Sequence, residues 1–411
     1  MKILRIFIVI AAAMCLCSCG GDEPNNIAYV VALGIDKAED DNYDITVQFA
    51  KTNQISGGSS EDGGKTGSEI IQNITVEAPG IYSAINTANH IISKKFSMSH
   101  AKLVVFSKEL AKEGVGELVN TIIRSDELRP DVFIAVAEDE AKKYLSEVKP
   151  VIEVNPAKYY QLVYGENKAG GVPTTNLQSF YFDKDSKQKN SVVPLAGVTK
   201  SEGGESDNPK NEAHKDAQIN HGNFEYHVKN YRAGEVAVNS ENKSEAMGMA
   251  VFDGDKMISE LGSIDAEIYN ILSGDLEHSY ISFQNRETGQ AISAKLYKIK
   301  RPSYKIDIKN KKIIVKLFLE SDLNDKPYEG KDFNIDELEQ DITDDINYAC
   351  EEFIMRTRDE LGCDVVGFGE KIKCKFLTNK KFNEYNFKDD FKNYDIKVET
   401  EFRVRRVGLK V

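Results

Sequence analysis

Apolar and polar positions change period several times along the chain, and each change marks an element. The run "IAYVVALGID" (27–36) is almost wholly apolar, while "YDITVQFAK" (43–51) sets Tyr43, Ile45, Val47 and Phe49 against polar neighbours. With the charged "KAEDDN" between them, the two predict strands joined as a hairpin. A third strand, "IIQNITVEA", precedes a helix opened by Pro79, in which Ile81, Ala84, Ile85, Ala88, Ile91 and Ile92 recur at helical spacing. Strand "HAKLVVFS", helical "KELAKEGVGELVNTIIRSDELR", strand "VFIAVA" and helix "EDEAKKYL" follow. Alternating strands and helices build parallel sheets, and the opening hairpin makes this one mixed.

The pattern then fades. "QISGGSSEDGGKTGS" (54–68) is too rich in Gly and Ser to pack and reads as a surface loop. From Gly165 to Glu245 apolar residues are sparse, so 166–245 reads as a polar linker or middle segment. Order resumes at "GMAVFDGDKMISEL", with Asp253 and Gly254 turning a hairpin, and passes through a short helix into "YISFQ", "AISAKLYKI", "YKIDI" and "KIIVKLFLE", which predict neighbouring antiparallel strands. A long helix over 335–361 carries Ile335, Leu338, Ile342, Ile346, Ala349, Phe353, Thr357 and Leu361 on one stripe and stops at Gly362. Cys350 falls on the stripe as a small core residue. "DIKVETEFRVRRVG" alternates Ile396, Val398, Thr400, Phe402 and Val404 and closes that sheet. The expectation is an α+β, multi-domain chain with mixed and antiparallel sheets and packed helices: an N-terminal domain at 27–165, the middle segment, and a C-terminal domain at 246–411.

Ahead of these elements lies a segment of another kind. "MKILRIFIVIAAA" pairs a positive start (Lys2, Arg5) with an uncharged apolar run from Ile6 to Ala13, too short to span a bilayer and suited to a secretory signal over residues 1–18. It ends Leu16, Cys17, Ser18, Cys19. The order apolar, small, small, Cys resembles the lipobox of bacterial lipoproteins, which implies cleavage between Ser18 and Cys19, thioether lipidation of Cys19, and a tether over 19–26. Burial of acyl chains contributes about 0.8 kcal/mol per methylene, so one chain holds a protein marginally and two hold it firmly. A metal site is the weaker reading, because alternate cysteines in an excised apolar segment cannot close a tetrahedron.

Charge and chemistry narrow the function classes. The 411 residues carry a formal charge of −13, and an acidic chain is repelled by phosphates, which argues against nucleic-acid binding and against a polybasic membrane grip. Cys350, Cys363 and Cys374 remain after processing, an odd number with no C-x-x-C among them. Of the six histidines, His90 lies on a predicted helix, His100 heads a strand, His278 lies in a turn, and His214, His221 and His227 are spaced too loosely in polar sequence to make a metal site. H-E-x-x-H, Gly-x-Ser-x-Gly and phosphate-loop patterns are absent from the sequence. Asp36 reads as a turn acid at the hairpin mouth, and Arg124 and Arg129 as bonding helix-end carbonyls and nearby acids. No catalytic residue, metal or cofactor is expected.

Taken together, the lipobox at Cys19, "VVALGIDKAEDDNYDITVQFA", "SHAKLVVFSKELAKEGVGELVNTIIRSDELRPDVFIAVAEDEAKKYL", "GMAVFDGDKMISEL", "DVVGFGEKIKCKF" and the final "VRRVG" resemble the Ger(x)C (GerAC-like) lipoproteins, the C subunits of spore germinant receptors. The resemblance implies a non-enzymatic lipoprotein on the outer face of the spore inner membrane, acting in nutrient detection beside a partly membrane-embedded A subunit and a transporter-like B subunit. Cys19 carries the defined chemical role; Gly34, Asp36, Arg124, Arg129, Gly367 and Gly369 match recurring positions of structural character. The chain departs from the family pattern in having no tryptophan, with Tyr385, Phe387 and Phe391 in the region concerned. Two other readings stay open: a solute-binding lipoprotein of an uptake system, with one cleft between two lobes, and a lipid-anchored cell-wall hydrolase, which needs a paired-carboxylate or metal site.

Overall fold

The computed structural model describes residues 26–50, 71–153, 155–165, 170–200, 230–284, 291–323 and 334–407. The loop expected at 54–68, the segment holding Cys19, and His214, His221 and His227 lie outside them.

Nine strands form one sheet: β1 (Ile27–Lys37), β2 (Tyr43–Ala50), β3 (Ile71–Ala78), β4 (Lys95–Ser97), β5 (Leu103–Ser107), β6 (Phe133–Ala137), β7 (Val192–Val198), β8 (Ser244–Asp253) and β9 (Lys256–Leu261). Their order is β3-β2-β1-β5-β6-β7-β8-β9, with the short β4 also paired to β1. β1 pairs antiparallel with β2, as the hairpin predicts, and parallel with β4 and β5. It is buried on both sides from Val30 to Asp36, which explains its unbroken apolar run.

Helices cover both faces. On one lie α1 (Ile81–Asn89), α2 (Lys108–Glu113) and α3 (Gly116–Ile123); on the other lie α4 (Ala141–Glu147) and α5 (Pro156–Tyr164); α6 (Leu177–Lys184) returns to the first. The segment expected as one helix after β5 is two, broken at Gly114, whose φ of 130° no side chain tolerates well. β2 also departs from expectation: its polar residues Thr46 and Gln48 are as buried as Ile45 and Val47. Gln48 Nε2 donates to the Leu145 carbonyl (2.9 Å) and Gln48 Oε1 accepts from Tyr160 Oη (2.5 Å), so the α4 and α5 side satisfies what it buries.

The expected middle segment is corrected most. Of its described parts, 170–200 and 230–245, the first holds α6 and β7, with Leu177, Phe180, Val193 and Leu195 in the core. Its end at 245 falls inside β8, and the hairpin β8–β9 pairs through β7 with the first sheet, not with the strands that follow it. The first sheet therefore runs to Leu261, and the expected limit at 165 cuts it.

After β9, α7 (Ser263–Ser273) leads into a five-stranded sheet of β10 (His278–Gln284), β11 (Ala291–Lys298), β12 (Ser303–Asp307), β13 (Lys312–Leu323) and β14 (Asp395–Val407), the last parallel to β13. Between β13 and β14 come α8 (Ile335–Asp359), α9 (Phe368–Lys373), α10 (Asn379–Tyr385) and α11 (Phe387–Asp390). The predicted stripe of α8 faces this sheet, with Cys350 and Phe353 fully buried, although Ile335 at its start is exposed. Glu339 and Glu351 on α8 accept the Val404 and Val398 backbone N–H groups (2.7 and 2.8 Å), covering polar groups on β14 that its ladder leaves unused. Asp265 on α7 pairs with Arg356 on α8 and accepts from Asn230 Nδ2 at 2.8 Å.

Glu267 on α7 is a costly core residue. Burial pushes its carboxyl from 4.5 up to about 7, against the hydrogen bond from Ser279, and its Oε1 has no partner among the described residues. The folded state thus holds a proton that the unfolded chain releases near pH 4.5, so stability falls as pH rises from there to about 7. Glu267→Gln should remove this slope, making the protein more stable than wild type at pH 8 by up to about 3 kcal/mol, with the gap closing near pH 5. Urea unfolding at both pH values checks it; a constant offset would contradict the assignment.

Candidate functional site

β5 sends its residues Val104 and Phe106 toward the face of α2 and α3, and Leu103 and Val105 toward the face of α4 and α5. The chain leaves β5 toward the first face and β6 toward the second. A crevice opens where neighbouring strands part in this way, outside their carboxyl ends. Here it has a volume of about 500 Å³ and is lined from the ends of β1, β5 and β6 and the starts of α2 and α4.

Asp36 lines it, and Gly34 lies two residues earlier on β1 under α4. A Cβ on Gly34 would lie 2.9 Å from Leu145 Cδ1 and 3.3 Å from Ala141 Cβ, so glycine is what lets α4 lie on β1. Two residues on, the buried Asp36 carboxylate accepts the backbone N–H groups of Ala141 (2.6 Å) and Lys142 (2.9 Å). The start of α4 has no cap of its own, since Glu140 makes none, and Asp36 supplies it from 105 residues away. Burial nevertheless raises the Asp36 pKa, with Glu140 and Asp44 adding to the rise against the two N–H donors. Asp36 is structural, as expected, but as a remote helix cap and not a turn acid.

The charges around the crevice largely neutralise one another. Lys108 Nζ lies 2.9 Å from Glu138 and 2.5 Å from Glu260, and Arg232 is 2.8 Å from Glu260. Lys37 pairs with Glu113, and Lys143 with Asp139 at 2.6 Å. Burial and the neighbouring Glu260 raise the Glu138 pKa, and its Oε1 is buried without a partner among the described residues. Ser107 caps α2 through its hydroxyl, which accepts from Leu110 N–H. Lys108, Glu138 and Glu260 went unnoticed in the sequence because they converge from segments up to 152 positions apart.

A second polar centre joins the sheets. Asp364 carboxylate accepts from the backbone N–H groups of Gly367 (2.9 Å) and Gly369 (2.7 Å), opening α9, while burial lifts its pKa to about 6 against those donors. Its backbone exchanges bonds with Asn190: Asn190 N–H to the Asp364 carbonyl (2.8 Å), and Asp364 N–H to Asn190 Oδ1 (3.0 Å). Asn190 also donates to the Phe252 carbonyl, tying this turn to β8. Gly367 has φ 82°, and a Cβ on Gly369 would strike the Gln188 carbonyl, so both glycines serve this junction. The spacing Asp-x-x-Gly was the signal in sequence.

The remaining candidates are not brought together. Arg124 and Arg129 are exposed, and neither side chain bonds a described residue, contrary to the expected helix-end contacts. His90 follows α1, His100 stacks edge-on against Tyr29, and His278 begins β10 where a turn was expected. Cys350 and Cys363 are buried, the latter thiol pushed up to about 12 by burial, and Cys374 is exposed. Among the described residues no cluster of His, Cys, Asp or Glu could hold a metal, and no helix is long and apolar enough to cross a membrane.

Two family models match in order. Residues 21–198 match the "Spore germination protein N-terminal domain", and 247–408 match "Spore germination B3/ GerAC like, C-terminal". The chain belongs to the GerAC-like family of spore germination proteins. Among relatives of this GerAC-like protein, the spore germination protein KC of Bacillus subtilis (strain 168) is 26% identical over 159 residues, or 38% of this chain and 39% of that protein. YfkR of the same organism is 28% identical over 124 residues, 30% of this chain and 32% of the relative. These alignments thus span well under half of either relative's length. A crystal structure of the GerBC protein superposes with a TM-score of 0.52 at 13% identity, covering 91% of this chain and 96% of that one, so the fold is shared.

Asp36→Ala should cost about 1–3 kcal/mol in urea unfolding, since α4 loses its cap and two buried N–H groups their acceptor. Asp36→Asn, which keeps one acceptor, should recover about half of that. A loss below about 0.5 kcal/mol for the alanine variant, ordinary for a surface position, would contradict the capping role.

Proposed function

We propose that this chain is a non-catalytic, lipid-anchored subunit of a nutrient germinant receptor, held by Cys19 at the outer face of the spore inner membrane and acting beside membrane-embedded A and B subunits. The observation that carries the reading is the lipobox ending at Cys19, directly ahead of a GerAC-like N-terminal region that begins at residue 21. Eight residues then lead from Cys19 to β1, so the folded part stays close to its anchor. Tethering raises its effective concentration beside other membrane proteins, and modest interfaces then suffice.

The polar residues support a scaffold. Asp36 and Asp364 spend their carboxylates on helix starts, and the crevice acids are met by lysines and an arginine. The solute-binding alternative calls for a cleft between lobes. The 500 Å³ crevice lies instead at the end of one sheet, while the depression between Asn190 and Phe391, where the sheets meet, has room for about 10 Å³, hardly one water.

Replacing Cys19 by Ala in the spore-forming host tests the proposal. The expected result is a membrane-bound fraction reduced at least about tenfold, because the acyl chains supply the attachment, together with a lost response to the receptor's nutrient. Unchanged membrane attachment and normal germination in the variant, in a strain without paralogous receptors, would refute it.

A further inference from the structure

α7 leaves the first sheet at β9 and delivers the chain to β10 of the second, so its contacts are contacts between the sheets. Asn270, near its end, reaches back to the first sheet's side: Asn270 Nδ2 donates to the carbonyls of Gly170 (2.7 Å) and Val172 (2.9 Å). The Gly171 carbonyl between them accepts the Gly248 N–H of β8 at 2.9 Å. Residues 170–172 are thereby pinned as a short strap between α7 and β8, with Val172 buried.

Glu267 lies one turn before Asn270 and is the weak point of this fastening. Its carboxyl takes a hydrogen bond from Ser279 on β10, and its Oε1 is buried without a partner among the described residues. The strap meets the same hydroxyl. A Cβ on Gly170 would lie 2.8 Å from Ser279 Oγ, and the φ of 79° there suits glycine. One serine therefore touches both the acid and the strap. An ionised carboxylate in this place lacks donors and draws water in. The strap, held by three hydrogen bonds, yields before α7 or β10, whose apolar sides are in the core.

The charges of the surrounding elements are engaged elsewhere. On α7, Asp265 pairs with Arg356 of α8, and Tyr269 bonds Lys189. On β10, His278 stacks with Tyr297, ring centroids 6.2 Å apart, and Asp275 and Glu277 before it are exposed. Lys298 on β11 donates to the Gly274 carbonyl (2.8 Å), Glu320 and Asp322 on β13 meet Arg405, and Glu245 on β8 accepts from Gly234 N–H. The strap has no charge of its own; Glu166 and Lys168 precede it in the sequence.

We propose that Glu267 is a proton-operated latch between the sheets: protonated, it keeps the strap 170–172 packed on α7 and β10, and ionised, it releases the strap while both sheets stay folded. The inference goes beyond the receptor reading and does not depend on Cys19. Burial sets the scale of the effect. A carboxyl near 7 when packed and 4.5 in water makes opening about thirtyfold more frequent at pH 8.5 than at pH 5.5, the rise levelling off above 7.

Peptide-resolved amide hydrogen exchange on the chain from Gly20 tests this at pH 5.5 and 8.5. Wild type and Glu267→Gln are compared at each pH, so that intrinsic exchange chemistry cancels, and circular dichroism checks folding. Relative to the variant, wild-type peptides covering 170–177 and Gly248 should gain about thirtyfold in opening between the two pH values, while β1 gains nothing. Ser279→Ala gives a second reading with the acid in place: losing that donor raises the acid further, so the gain should continue past pH 8. The Glu166→Gln/Lys168→Gln pair should leave the gain intact. Equal ratios at both pH values would overturn the proposal, as would a gain shared by β1, which marks unfolding of the whole molecule. An unchanged profile in Ser279→Ala, or loss of the gain in the Glu166→Gln/Lys168→Gln pair, would overturn it too.

Discussion

The contact between β1 and the start of α4 sets the arrangement of the first sheet. Gly34 removes the side chain that would hold α4 off the strand, and Asp36 receives the two backbone N–H groups that α4 cannot satisfy for itself. A central strand buried on both sides needs a helix layer on each face, and α4 supplies the second one only because these two residues admit it. Gln48 and Tyr160 then become buried and satisfy each other, and Tyr144 and Tyr164 share a hydrogen bond of 2.8 Å beside them. The crevice follows from the same choice, since it is the gap between a helix layer leaving β5 and one leaving β6.

β1 thereby acquires two unlike ends. Its amino end pairs with the short β4; its carboxyl end is locked under α4 and rimmed by paired charges. The second sheet is joined farther along, where Asn190 and Asp364 bond through backbone and side chain and Arg356 meets Asp265. These contacts bury polar groups that must be satisfied, which fixes register between the sheets more firmly than apolar packing would.

What the sequence revealed divides along local and distant causes. The β1–β2 hairpin, the β8–β9 turn at Asp253-Gly254 and the stripe of α8 rest on periods within a few residues, and all three are present. β7 was hidden because Pro194 interrupts its apolar run and its neighbours are polar; a bulge after Pro194 is how the strand accommodates it. α5 announced itself with Asn155 capping and Pro156 in the first turn, a start signal passed over in a segment read as ending. The burial of Thr46 and the partner of Asp36 had no local signal, because both depend on a helix encoded some hundred residues later.

The claim on which the function turns is a lipid at one sulfur, and intact-mass analysis of the native protein extracted from spore inner membranes tests it most directly. The account predicts a chain beginning at Cys19 and heavier than its sequence by a diacylglyceryl group, with or without a further acyl chain. A mature chain whose Cys19 thiol is free, recovered in the soluble fraction, would contradict it.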